Sequence, residues 1–218
     1  MTVQAARFLA GAIGNDVPTA EPAKSAVPLA PEQADVPPAL AAKSALEVQS
    51  APSPRLTADF KAAFGGHPAG VAIITANSAT GPVGITASSV ASVSAEPPLL
   101  AFSLAAQSGS AAALAVADTV VVHLLSTDDL DLARIFADSR SERFTESMPW
   151  TRLESGEPLL MHGGFALHCK ILSRTPAGGS LLLAAEVLNI IAPASTGAPL
   201  VYHSRTFHVL GEDSILRG

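Results

Sequence analysis

Chemistry-bearing residue types gather most densely in one uncharged stretch, Gly81-Pro-Val-Gly-Ile-Thr-Ala-Ser-Ser-Val-Ala-Ser-Val-Ser-Ala-Glu-Pro-Pro-Leu-Leu-Ala-Phe-Ser-Leu104. Thr86, Ser88, Ser89, Ser92 and Ser94 crowd a β-type run, and a Pro-Pro break separates them from a second apolar run that ends in Ser103 and Leu104. Each hydroxyl supplies a donor and an acceptor on a side chain short enough to leave the backbone open to close approach. Two strands with a polar seam follow, suited to a flat molecule with polar edges. A half-exposed strand rich in Ser and Thr is the plainer alternative for the same residues.

A second feature follows at once. Ala105-Ala-Gln-Ser-Gly-Ser-Ala-Ala-Ala-Leu-Ala-Val-Ala-Asp118 passes from a polar turn into an alanine-rich helix, with Ser108 or Ser110 as its cap. The first turn of a helix carries unpaired N–H groups and the positive end of the dipole, so hydroxyls and a glycine there favour a phosphate without needing a lysine. A purely capping role for the serines is compatible with that reading.

Other chemistry is sparse. There is no Gly-x-Gly-x-x-Gly after a strand, no Walker loop and no Gly-x-Ser-x-Gly elbow. His203 and His208 are the nearest histidine pair, but their spacing fits no metal motif, and no metal site is expected. His123 lies inside an apolar strand and reads as a satisfied core histidine. The single cysteine, Cys169, has no partner for a disulfide and reads as a buried thiol.

The elements that must position these residues are mostly strands. Residues 1–54 hold roughly half of the 17 prolines with many alanines, which reads as a disordered extension. The domain, residues 55–218, opens with a helix over 55–65, with Thr57 as cap and an apolar face of Phe60, Ala63 and Phe64. Strands are expected at 68–76, 119–125, 164–174, 180–191, 199–203 and 206–210, beside those of the opening stretch, and a helix at 128–137 with Leu132, Ile135 and Phe136 toward the core. Seven or eight strands without βαβ alternation predict a mainly antiparallel β-barrel with a few short helices. Residues 139–156 form a charged connection lying over the site or a subunit interface.

Charge narrows the partners. A formal net charge of -6 with only 15% charged residues offers no basic surface to nucleic acid or anionic lipid. No apolar run approaches the roughly 18 residues of a membrane span, and the first residues lack a cleavable signal pattern, so a cytoplasmic protein is expected.

Taken in order, Phe60-Lys-Ala-Ala-Phe-Gly-Gly-His-Pro-Ala-Gly-Val-Ala-Ile-Ile-Thr75, Gly84-Ile-Thr-Ala-Ser-Ser-Val-Ala-Ser-Val-Ser-Ala-Glu-Pro-Pro-Leu99 and Pro199-Leu-Val-Tyr-His203 resemble the short-chain flavin reductases. Ser108-Gly-Ser110, Val121-Val-His-Leu-Leu125, Phe136-Ala137, Arg143-Phe144, Trp150 and Glu157-Pro-Leu159 fall in fitting order, and the likeness covers 57–211. The resemblance implies a split β-barrel of the Greek-key, FMN-binding type that forms a homodimer. It also implies that FMN or FAD is bound and reduced by NADH or NADPH, with reduced flavin often released to a partner monooxygenase.

By position, the resemblance puts Thr86, Ala87, Ser88 and Ser89 along the isoalloxazine edge and Ser103 and Leu104 under the ring, with Ser108 and Ser110 on the phosphate. Hydride passes from nicotinamide C4 to flavin N5 without an obligatory protein acid or base, so no catalytic side chain is nominated. Arg143 is the best cation for a phosphate or adenine, with pairing to Glu142 or Glu146 as the alternative. Many relatives carry Gly-Asp-His where this chain has Gly178-Gly179-Ser180. Ser180 offers one hydrogen bond but no ring to stack and no charge, so weak or altered nicotinamide preference is expected, and a flavin-binding barrel without reductase activity is the runner-up. A third reading makes the chain an interaction domain that binds no flavin and recruits a partner through its proline-rich extension.

Overall fold

The computed structural model describes residues 53–105, 109–193 and 197–216. The expected disordered extension, 1–54, lies almost wholly outside them, as does Ser108.

The described chain begins with α1, Pro54–Gly65. Ser53, and not Thr57, caps it: the Ser53 hydroxyl accepts from the Leu56 N–H at 3.2 Å, and Pro54 fills the first turn, where a missing N–H costs nothing. No residue of α1 is buried, and Phe60 and Phe64 of the expected apolar face are 59% and 62% exposed.

Twelve strands follow among the described residues: β1 Ala69–Gly70, β2 Ala72–Ser78, β3 Gly81–Ala87, β4 Ala91–Ser94, β5 Leu99–Leu104, β6 Thr119–Leu124, β7 Trp150–Arg152, β8 Pro158–Leu160, β9 Ala166–Ala177, β10 Ser180–Ile191, β11 Leu200–His203 and β12 Thr206–Val209. Helix α2, Gly109–Val116, links β5 to β6, and α3, Leu130–Ala137, follows a single 3-10 turn, Thr127–Asp129, after β6. The mainly antiparallel β expectation holds, although the opening stretch forms three strands where two were expected, β7 arises within the charged connection and β8 follows just after it. Seven strands form the main sheet in the order β3-β2-β6-β9-β10-β5-β4. No ladder between its two edges, β3 and β4, closes it among the described residues, as a split barrel requires. A small sheet, β1-β11-β12, is laddered separately, and Leu200 ties it to the end of the main sheet by backbone bonds with Val71 and Leu125.

The main sheet is covered on both faces, which is why β2 and β6 read as continuous apolar runs. Ile74, Phe102, Val120, Val122, Cys169 and Leu183 fill one face, whereas Ile73 belongs to a second cluster with Phe136, Leu160 and Leu200. Strand geometry sends successive side chains to opposite sides, so the neighbours Ile73 and Ile74 serve two different cores. Full burial of each such large apolar side chain contributes about 1.5–3 kcal/mol.

A buried histidine and a close-approach glycine fix the second core. His123, opposite Ile73 in the β2–β6 ladder, is fully buried; its Nδ1 lies 3.1 Å from the Ile73 carbonyl and its Nε2 accepts from the Leu160 N–H at 3.0 Å. It is the satisfied core histidine expected, and burial, with the neighbouring His162, pushes its pKa down to about 3. Gly84 on β3 lets α3 approach, because a Cβ there would stand 2.6 Å from Cε1 of Phe136. Ala133 and Phe136 are the buried residues of α3, with Leu132 and Ile135 half-buried beside them.

Candidate functional site

The elements converge on a cavity of about 1010 Å3. The ends of β3 and β5 bring Thr86, Ala87, Ser88, Ser89, Ser103 and Leu104 to its wall, the start of α2 brings Ser110, the link after α3 brings Arg143, and the start of β10 brings Ser180. Nine of the ten candidate residues therefore share one space, and the tenth, Ser108, lies outside the described residues. Ser92 and Ser94, counted with the hydroxyl cluster in the sequence, stand on β4 and do not line the cavity.

The hydroxyls divide by what they already hold. Thr86 donates from Oγ1 to the Ala133 carbonyl at 2.7 Å, tying β3 to α3. Ser89 donates from Oγ to the Ser103 carbonyl and accepts from the Ser103 N–H, each at 3.1 Å. That pair seals the edge of β5 beyond Ala101, where the ladder with β4 stops. Ser110 sits inside α2, and among the described residues its Oγ accepts from Nη1 of Arg143 at 3.1 Å. The hydroxyls of Ser88, Ser103, Ser139 and Ser180 make no hydrogen bond among the described residues, so these four face the space with donor and acceptor intact.

Arg143 pairs with neither Glu142 nor Glu146. Its guanidinium donates to the carbonyls of Gly84 at 2.9 Å, Asp138 at 2.8 Å and Ile135 at 3.4 Å, besides Ser110, and lies 5.7 Å from the Phe136 ring centroid. It thus pins β3, α2 and the end of α3 together at the cavity wall. Partial burial lowers its pKa from the ordinary arginine value, and Asp138 works against that shift. The following residue, Phe144, adopts a left-handed backbone, φ 59°, held by edge contacts of its ring with Phe136 and Trp150, both at 5.2 Å.

The sequence did not single out Arg134, Ser139, Tyr202, Arg205 and Phe207, which complete the wall. Tyr202 and Phe207 face each other across β11–β12 with ring centroids 5.0 Å apart. Tyr202 lay within a quoted motif, but only the third dimension shows that this hairpin reaches the cavity. Three other residues weighed in the sequence do not line the cavity: Cys169 is fully buried in the main sheet, its thiol pushed up to about 12 by burial, and His203 and His208 meet edge to face with ring centroids 5.5 Å apart.

A wall of free hydroxyls, apolar patches from Val71, Ile85 and Leu104, and three aromatic rings suits a planar ring with a polar edge. The volume lies at the upper end of the roughly 300–1,000 Å3 of small-molecule sites. The residues present fit a flavin with its phosphate tail.

With this fold and site, residues 64–211 match the flavin reductase like domain family, and the chain belongs to that family. It is 40% identical over 153 residues to the NADH:FMN oxidoreductase of Rhodococcus erythropolis, covering 69% of this chain and 80% of that one. A flavin reductase domain protein from Arthrobacter sp. FB24 superposes with a TM-score of 0.67 at 36% identity, over 71% of this chain and 96% of the other. An NADH:FAD oxidoreductase of Streptomyces globisporus, solved with NAD and FAD fragments, gives a TM-score of 0.66 at 25% identity, over 76% and 99% of the two chains.

Proposed function

We propose that the protein is an NAD(P)H:flavin oxidoreductase that reduces FMN or FAD in the cavity described above. The observation that carries this reading is the convergence of Thr86–Ser89, Ser103, Leu104, Ser110, Arg143 and Ser180 on one wall of one space. The family supports it. When bound, the flavin supplies a ring that accepts hydride from a stacked nicotinamide. The protein contributes placement: Ser88 and Ser103 offer hydrogen bonds to a polar ring edge, Leu104 and Phe136 exclude water, and Arg143, through its bonds to Gly84 and Ser110, holds the wall in shape. No side chain has to exchange a proton.

Measuring oxidation of NADH and of NADPH with FMN or FAD tests the reading; turnover that depends on added flavin is expected. Absence of flavin-dependent oxidation with either nucleotide defeats it. The Gly178-Gly179-Ser180 turn favours a second reading, a flavin carrier with negligible turnover, because the hydroxyl at the mouth of β10 gives a nicotinamide nothing to stack on. Tight flavin retention without oxidation of either nucleotide is the outcome that selects it.

The protein acts as a homodimer in this reading. Support comes from apolar side chains that one copy leaves in water: Leu56, Phe60 and Phe64 along α1, and Leu172, Leu188 and Ile190 on β9 and β10. A flavin-dependent monooxygenase is the partner class that consumes the product. No helix among the described residues is long and apolar enough to cross a membrane, and a cytoplasmic setting fits a need for reduced nicotinamide.

A further inference from the structure

The charged residues of the cavity wall are Arg134, Arg143, Arg205 and Asp138, three cations against one anion, in a chain whose formal net charge is -6. Two of the cations are engaged. Arg143 spends its donors on three carbonyls and Ser110, and Arg134 stands 3.5 Å from Asp131. Arg205 makes no ion pair and no side-chain hydrogen bond among the described residues. Its charge is uncommitted.

The backbone that presents Arg205 is unusual. Ser204 and Arg205 form the two-residue loop of the β11–β12 hairpin, between the paired His203 and Thr206, with φ of 49° and 63°. A two-residue hairpin loop with both residues left-handed normally takes Asn-Gly or Gly-Gly, because a Cβ at positive φ is strained. Such strain persists where the surrounding structure imposes it, and it gathers at functional sites. The non-glycine residues with positive φ among those described are Phe144, Ser204 and Arg205, so each is, or adjoins, an arginine of the cavity wall.

We propose that Arg205 is a phosphate-binding residue of this cavity, presented by a turn that holds a strained conformation in order to carry an arginine there. The proposal rests on the cavity being the nucleotide site. A guanidinium with its donors free among the described residues recognises a phosphate ester in bidentate fashion, more strongly than neutral donors do. Two phosphate-bearing ligands enter such a site, the flavin and the nicotinamide dinucleotide with its pyrophosphate, and the chemistry is common to both.

The test compares wild type with Arg205→Asn, which tolerates the left-handed turn but has no charge, and Arg205→Lys, which keeps the charge and the strain. Arg205→Asn should raise the thermal midpoint and weaken phosphate-dependent binding by roughly tenfold, with Arg205→Lys between it and wild type in affinity. If the flavin phosphate is the ligand, FMN affinity falls while riboflavin affinity, by fluorescence quenching, does not change. If the dinucleotide is the ligand, FMN affinity is unchanged and the KM for NADH rises. Unchanged FMN affinity together with unchanged KM for NADH and NADPH overturns the proposal alone. A wild type that binds neither flavin nor dinucleotide overturns the assignment of the cavity and this proposal with it.

Discussion

At the scale of single residues, adjacent serines divide structural from ligand-facing work. The Ser89 hydroxyl closes the edge of β5 on both backbone groups of Ser103, whereas the Ser88 hydroxyl faces the cavity without a partner among the described residues. Ser89→Ala should therefore lower stability by about 1 kcal/mol, the net worth of such bonds, measured as a shift in urea midpoint. Ser88→Ala should leave that midpoint in place and weaken flavin affinity; the reverse pattern would defeat the division. His123 supplies a pH effect. Its folded pKa of about 3 lies below the unfolded value of 6.5, so the unfolded chain binds the extra proton between the two. The stability it contributes is complete above about pH 6.5 and is lost as pH falls toward 3, at a slope approaching 1.4 kcal/mol per pH unit. Hydrogen bonds hold Asp129 and Glu157 below the ordinary carboxylate range despite burial, so their losses begin at lower pH. Urea titrations from pH 7 to 4.5 should show this slope in the wild type and a shallower one in His123→Gln, and equal slopes would contradict it.

Among the elements, the contact between β3 and α3 depends on a missing side chain. A Cβ on Gly84 would strike the buried Phe136 ring, so Gly84→Ala should cost about 1–3 kcal/mol by overpacking. Adding Phe136→Leu should recover part of that loss, and a double-mutant cycle with no coupling would show that the two elements do not meet through this pair. The same contact shows what the sequence carried and what it withheld. The Thr86–Ser89 run, the end of β5 and the start of α2 were legible because a break in polar pattern and a glycine-serine turn are local signals. Thr57 failed as a cap because Ser53-Pro54 starts the helix earlier, and β8 was missed because its three residues are fixed by a hydrogen bond to His123 from a distant strand. Arg205 left no signal, since Ser-Arg is not a usual hairpin turn and its approach to the cavity depends on the small sheet docking beside β3 and α3.

For the molecule as a whole, the proposed homodimer rests on the exposed apolar residues. Leu172 and Leu188 stand at the two register shifts of the β9–β10 ladder, where the extra residue has no cross-strand partner, and both remain exposed. Light scattering at tens of micromolar should give twice the chain mass of 22.1 kDa, and Leu188→Lys with Ile190→Lys should return one chain. A single-chain mass for the wild type would refute the homodimer. The sealing of Cys169 has a separate bearing on survival in use. A protein that hands on reduced flavin works wherever that flavin meets dioxygen and yields hydrogen peroxide, and peroxide attacks the thiolate form of cysteine. The one sulfhydryl of this chain lies in the middle of the main sheet, where burial holds it protonated across the physiological range, so Cys169 is shielded from that oxidant.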